Sequence, residues 1–271
     1  MREAERSFWN WVWPPPPIAR RLWLMVVAST AYALVVWAVH PEEYAAIPTW
    51  TAPLAAVNTA ILSLLVSFRT KVAYDRWWEG RILWGNLVNH SRNLCLKGRE
   101  LAKLDAGERA VFAKMVSAFP VALAEHLRET PKPAGVLTPI QAADAVIATV
   151  AGWRAANRID GHMHQILDAH LSAFMDVAGA CERIRNTPLP PSYLSLLRHG
   201  LVLGFLLTPW AVAQALGAWM LPLQAVVVYF LFGIELTAEA VEQPFGSDGD
   251  DLPLEKYCET IRASAADILR E

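Results

Sequence analysis

A chain of 271 residues that is 54% hydrophobic, with 12 Trp and a mean hydropathy of +0.26, is too apolar for an ordinary soluble domain. It reads as a membrane protein with a sizeable aqueous part. A formal charge of −2, with 24 Lys and Arg spread among 26 acids, offers no basic face, so a nucleic-acid partner is set aside.

The opening stretch Met1–Arg6 mixes Arg2 and Arg6 with Glu3 and Glu5, and Pro14–Pro17 precede the first apolar run. That run lacks a small-residue cleavage site, so the segment is expected to stay in the mature chain. Phe8, Trp9, Trp11 and Trp13 suit an interfacial aromatic anchor and subunit packing equally well. Residues 1–21 are read as an N-terminal cytosolic or interfacial segment.

Leu22–Val39 carries no charge, and about 18–20 such residues cross a bilayer as a helix. Pro48–Phe68 is a second uncharged run, joined to the first by a short connection holding His40, Pro41, Glu42 and Glu43. Residues 22–68 therefore predict transmembrane helices 1 and 2 as a hairpin. On the second, Ala60, Leu64 and Phe68 are four apart and share one face without a polar atom. Several copies around an axis would turn each position into an apolar ring able to gate ions by excluding water. Taken alone, the pattern is more simply helix packing within one bundle.

Charge begins at Arg69. Lys71 and Asp75 have helical i,i+4 spacing, and Tyr74, Trp77, Trp78 and Arg81 form a dense aromatic and cationic cluster. Residues 69–192 predict a cytosolic helical region with a Pro-rich break at Thr130–Pro139. Within it, Met163, Ile166, Leu167, Leu171, Phe174 and Val177 recur at helical spacing, predicting an amphipathic helix over Ile159–Ile184 that stops before Thr187-Pro188-Leu189-Pro190-Pro191. His162 and His164 are two apart and make a poor metal pair. With Asp168 and His170 they are the best candidates for an enzyme site, yet they scatter around the helix. The sequence contains no Gly-rich phosphate loop, nucleophile elbow or HExxH pattern.

Gly200–Ile234 is again uncharged and too long for one untilted span, with Gly217 and Pro222 suited to a turn. Two helices are predicted, Tyr193–Leu216 and Trp219–Glu235, so residues 193–235 hold transmembrane helices 3 and 4. Pro209 is expected to kink the first of them, which neighbours allow by satisfying the freed carbonyl. Arg20, Arg21, Arg69, Lys71, Arg76 and Arg198 flank one side of the four spans, while the loops at Glu42-Glu43 and Gly217 carry no Lys or Arg. Both termini are accordingly expected in the cytosol. The C-terminal segment 236–271 is cytosolic on the same reading. Glu235, Glu239 and Glu242 lie within one helical face, where acids at a mouth would favour cations. The acidic stretch after Pro244-Phe245-Gly246 lacks EF-hand spacing and reads as a cap or turn. Cys95, Cys181 and Cys258, an odd number at wide spacing, form neither a disulfide framework nor a zinc pattern and read as reduced thiols.

The run Ser67-Phe68-Arg69-Thr70-Lys71-Val72-Ala73-Tyr74-Asp75-Arg76-Trp77-Trp78-Glu79-Gly80-Arg81, then Leu83-Trp84-Gly85, resembles the signature of the bestrophin family in its bacterial branch. Cys181-Glu182-Arg183-Ile184 ahead of Thr187-Pro188-Leu189-Pro190, and Pro244-Phe245-Gly246 with Asp248 and Asp251, are similar to two further family segments. The resemblance covers nearly the whole chain. It implies an all-α membrane protein with four transmembrane helices per subunit and a helical cytosolic region, assembled as a homopentamer around a central pore.

The activity implied is an ion channel for small monovalent ions, chloride-type anions by family and cations in some bacterial members. Catalysis and cofactors are not implied. The partners implied are further copies of the chain, membrane lipid and small inorganic ions, in a bacterial inner membrane. Position relative to Arg76-Trp77-Trp78 implies a pore neck at Ala60, Leu64 and Phe68, replacing the packing reading, with Ala60 smaller than is usual. A cytosolic aperture is implied near Ile166, and Asp75, Trp77 and Trp78 make up a structural motif. Candidate selectivity charges are Arg69, Lys71 and Arg76, which would attract anions, and Glu235, Glu239 and Glu242, which would attract cations. Ser247 and Gly249 thin the acidic run that binds calcium in animal relatives. Asp248 and Asp251 remain as weak calcium candidates, and no functional metal site is expected. The rival readings are a transporter of a larger organic solute and a non-conducting scaffold for a cytosolic partner.

Overall fold

A computed structural model describes residues 16–39, 50–128 and 137–270. Phe8, Trp9, Trp11 and Trp13, the connection at His40–Glu43 and most of the Thr130–Pro139 break lie outside the described residues. The chain divides into two units, Met1–Tyr74 with Leu189–Glu242, and Asp75–Pro188 with Gln243–Glu271. Among the described residues every regular element is helical.

The first unit holds α1 (Pro16–Ala38), the beginning of α2 (Thr51–Ala102), α6 (Pro191–Leu216) and α7 (Met220–Glu242). Stretches long and apolar enough to cross a membrane are Ile18–Ala38, Thr51–Ala102, Ala106–Leu127 and Pro191–Glu242. The last is broken by a 3-10 turn at Gly217–Trp219, where Gly217 adopts φ +50°, a conformation that costs a glycine nothing. Two helices therefore lie in this run, as the sequence predicts. The second of them continues two turns beyond Glu235, and α2 runs on unbroken past Phe68 for a further 34 residues to Ala102.

Apolar seams join these helices: Leu22 and Val26 with Val228, Ala33 and Val36 with Ala213 and Met220, and Leu62 and Val66 with Leu197 and Leu201. A few polar contacts cross them. Pro209 has no N–H, so the Phe205 carbonyl four residues back loses its helical donor. Gln224 Nε2 of α7 donates to that carbonyl at 3.1 Å and to Ser29 Oγ of α1 at 2.7 Å. Asn58 Nδ2 donates to the Gly200 carbonyl at 3.2 Å, and a Cβ at Gly204 would stand only 3.0 Å from that amide nitrogen. The absent side chain lets α2 and α6 approach.

In the second unit the rest of α2 packs with α3 (Ala106–Leu127), α4 (Pro139–Ala155), α5 (Gly161–Asn186) and α8 (Leu254–Arg270). Helix starts are well defined: capping boxes pair Asp105 with Glu108 and Thr138 with Gln141, and Asp160 accepts from Met163 N–H. The core is one cluster containing Trp84, Phe112, Phe119, Leu123, Phe174 and Ile261, with Phe119 and Phe174 stacked at 4.7 Å between centroids. Each such buried aromatic contributes about 2–3 kcal/mol through the area it removes from water. Although α3 satisfies the length and hydropathy of a span, its Phe112, Val116, Phe119, Leu123 and Leu127 are used in this core, while Val111 and Val121 stay exposed. Helix α5 buries Leu167, Leu171, Phe174, Val177, Cys181 and Ile184 at the predicted spacing. The three thiols are free, with Cys95 and Cys181 buried and Cys258 half-buried. Burial pushes Cys181 up to about 12 and Cys258 up to about 11, which keeps both protonated and unreactive.

Candidate functional site

The beginning of α2 has two contrasting faces. Ala60 is exposed, Leu64 is 59% and Phe68 53% exposed, while Leu62 is 2% and Val66 6% exposed on the side turned into the unit. Val57 and Ile61 widen the exposed apolar stripe. Hydroxyls near it present no free donor: Thr59, Ser63, Ser67 and Thr70 each donate to the carbonyl four residues back, at 2.7–2.9 Å. The three residues expected to form a neck thus share one bare apolar face of a single subunit.

The six candidate selectivity charges divide. Arg69 is 1% exposed, and Glu235 and Glu242 of α7 are 5% and 6% exposed. They form one buried ion cluster, with Arg69 Nε 3.5 Å from Glu235 Oε2 and Nη1 2.8 Å from Glu242 Oε2. The closer approach lies off the hydrogen-bonding direction, so the attraction is mainly Coulombic. Glu242 Oε1 also accepts from Leu189 N–H at 3.0 Å. The expectation that these three charges face a passage does not describe this subunit: α7 extends past Glu235 and brings its carboxylates onto Arg69. Glu239 remains exposed, 3.6 Å from Arg21, and Lys71 is exposed one turn after Phe68. Arg76 is half-buried and donates through Nη1 to the Thr187 carbonyl and through Nη2 to the Ile184 carbonyl, both at 2.5 Å. It thereby caps the C-terminal end of α5.

In the second unit, sequence-distant motifs meet. Trp77 Nε1 donates to the Asp250 carbonyl at 3.1 Å, and Phe245 and Leu252 stand against Gly80, where an added Cβ would come within 3.1 Å of each. The Arg81 guanidinium lies 4.9 Å above the ring of half-exposed Trp78, and Asp75 is exposed. The loop after Pro244 is closed by protein donors: Leu252 N–H to the Pro244 carbonyl at 2.9 Å, Arg128 Nε to the Gly246 carbonyl at 3.1 Å, and Asp248 N–H to Asp251 Oδ2 at 2.6 Å. Burial holds the Asp251 carboxyl above its usual range. Among the described residues no group of three or more His, Cys, Asp or Glu side chains converges as a metal site.

Ile166 is half-buried on α5. One turn further on, His170 is buried and takes part in a chain the sequence did not signal. Lys97 Nζ donates to His170 Nε2 at 2.6 Å, which puts the imidazole proton on Nδ1 and directs it at His90 Nδ1, 3.0 Å away. Burial, then the neighbouring Lys97 and His90, lower the His170 pKa. None of the hydrogen bonds of His170 goes to His162, His164 or Asp168, so the four proposed enzyme residues do not form one constellation.

These features define a helical membrane protein whose long apolar helix continues directly into a charged, aromatic segment. The chain belongs to the bestrophin family: the family described as Bacterial/Fungal Bestrophin protein matches residues 15–267. It is 34% identical over 229 residues to a voltage-dependent anion channel-forming protein of Mesorhizobium japonicum, covering 78% of this chain and 72% of that one. A protein of the same description from Nostoc sp. is 31% identical over 234 residues, covering 79% and 76%. The fold is similar to crystal structures of a bacterial bestrophin homologue from Klebsiella pneumoniae. One has a TM-score of 0.84 at 21% identity over 93% of this chain and 100% of that chain, and another a TM-score of 0.81 at 23% identity.

Proposed function

We propose that the chain is the subunit of a homopentameric channel in a bacterial inner membrane, with both termini cytosolic, that conducts small monovalent anions. Residues 22–68 and 193–235 cross the bilayer, and residues 69–192 and 236–271 form the aqueous part. The observation that carries the reading is the bare row Ala60, Leu64 and Phe68 on a helix whose other side is packed. Around a symmetry axis that row becomes a hydrophobic neck. Ile166 is the proposed second constriction.

Anions are preferred on two grounds. The relatives are named as anion channel-forming proteins. Lys71 is exposed one turn past Phe68, while Glu235 and Glu242 are occupied with Arg69 in the interior and Glu239 alone of the three acids stays exposed. A subunit of this design needs no catalytic group and no cofactor.

The test is the reversal potential of the purified protein in planar bilayers under a potassium chloride gradient, repeated with sodium chloride. A shift toward the chloride equilibrium potential is expected. A shift toward the cation potential would reverse the selectivity assignment, and no current from an intact pentamer would replace the channel by the transporter or scaffold readings.

A further inference from the structure

We propose that Arg69 is a positioning residue: its buried ion cluster with Glu235 and Glu242 sets the rotation of α2 about its own axis and so decides which side chains face the pore. The proposal rests on the reading of Ala60, Leu64 and Phe68 as a neck.

Helix geometry turns successive side chains by about 100°, so the direction of Arg69 fixes that of Phe68 directly before it. The inward face of α2 carries Asn58, Leu62, Val66, Arg69 and Ala73, all buried, and Asn58 donates to the Gly200 carbonyl of α6 at 3.2 Å. Its apolar members cannot by themselves hold a rotation. Lipid tails are as apolar as leucine, so exchanging Leu62 for Leu64 on the inner side changes little between α2 and its neighbours. The neck residues make no hydrogen bond or ion pair that would resist it.

Arg69 differs because its partners are fixed elsewhere. Glu235 and Glu242 stand two turns apart on α7 and bracket the guanidinium, and Glu242 simultaneously holds the Leu189 N–H ahead of α6. Turning α2 by one residue would carry the cation out of the interior and leave two buried carboxylates without it, which a low-dielectric site resists strongly. Asn58 restrains the beginning of α2 through one neutral hydrogen bond to the Gly200 carbonyl, and Arg69 supplies the charged restraint directly beside the neck residue Phe68.

The experiment reads rotation separately from conduction. Cys95, Cys181 and Cys258 are replaced by Ala, and Leu62→Cys or Leu64→Cys is introduced for labelling by a water-soluble thiol reagent in the assembled protein. With Arg69 present, position 64 should label at least tenfold faster than position 62. Arg69→Met should bring the two rates together, and the charge exchange Arg69→Glu with Glu242→Arg should restore the difference. An assembled Arg69→Met protein that keeps the tenfold preference would overturn the proposal. So would failure of Arg69→Met to assemble that the charge exchange does not correct. If the labelling rates converge as expected while Leu64→Ala and Phe68→Ala leave conductance unchanged, the positioning role stands and the neck reading falls. If the rates hold and those two variants do change conductance, the neck stands without Arg69.

Discussion

The side-chain amide of Gln224 donates to the backbone carbonyl of Phe205, 3.1 Å away, the carbonyl that Pro209 deprives of its helical partner. A break in one membrane helix is thus repaired from another, and the same amide reaches Ser29 on a third. Gln224→Leu keeps the volume and removes the donor, and should cost about 0.5–2 kcal/mol, the range for hydrogen bonds between membrane helices. Pro209→Ala returns an N–H to Phe205, so the double variant should recover part of that loss. Unfolding of the detergent-solubilised protein measures it, and a fully additive pair would show that the two residues are not linked.

The proposed neck makes a functional prediction. Leu64→Ala and Phe68→Ala should each raise single-channel conductance several-fold, because each shortens a ring that dewets the passage. Unchanged currents with normal assembly would remove these residues from the gate.

Arg76 should behave as a structural residue. Its two donations to the Ile184 and Thr187 carbonyls are charge-assisted, and Arg76→Ala should cost about 2–4 kcal/mol of stability. Arg76→Lys should recover only part, since an ammonium cannot present the planar fork that reaches both carbonyls. Thermal unfolding and assembly of the proposed pentamer are the measurements. A fully assembled Arg76→Ala protein with a shifted reversal potential would place the residue in the ion path instead.

The chain Lys97–His170–His90 predicts a pH dependence. The folded protein holds His170 neutral, with its pKa below the ordinary 6.5. As pH falls through 6.5 the unfolded chain takes up a proton that the folded one refuses, so stability is fully present above that value and declines below it, levelling out under the folded pKa. The melting temperature should fall between about pH 7.5 and pH 5.5, and His170→Gln should flatten the slope. An unchanged slope in that variant would assign the titration to another group.

How much of this was readable in advance follows from the physics of each feature. A bilayer leaves a helix no choice but a continuous apolar run, so the helices predicted at Leu22–Val39, Tyr193–Leu216 and Trp219–Glu235 are visible in the hydropathy. The 3.6-residue repeat likewise places Ala60, Leu64 and Phe68 on one face and buries Leu167, Leu171 and Phe174 of α5 on another. The span limits at Phe68 and Glu235 mark the onset of charge, and both helices continue past them, with Arg69, Glu235 and Glu242 paired in the interior.

Periodicity and hydropathy are properties of neighbours along the chain, and they determined the membrane class, the helical segments and the exposed apolar row. Pairing between helices depends on the rotation and offset of each, which local pattern does not encode. Only the tertiary structure could therefore turn Arg69, Glu235 and Glu242 from three surface charges into one buried cluster, bring His90 to His170 across 80 residues, and bring Trp77 to the Asp250 carbonyl across 173.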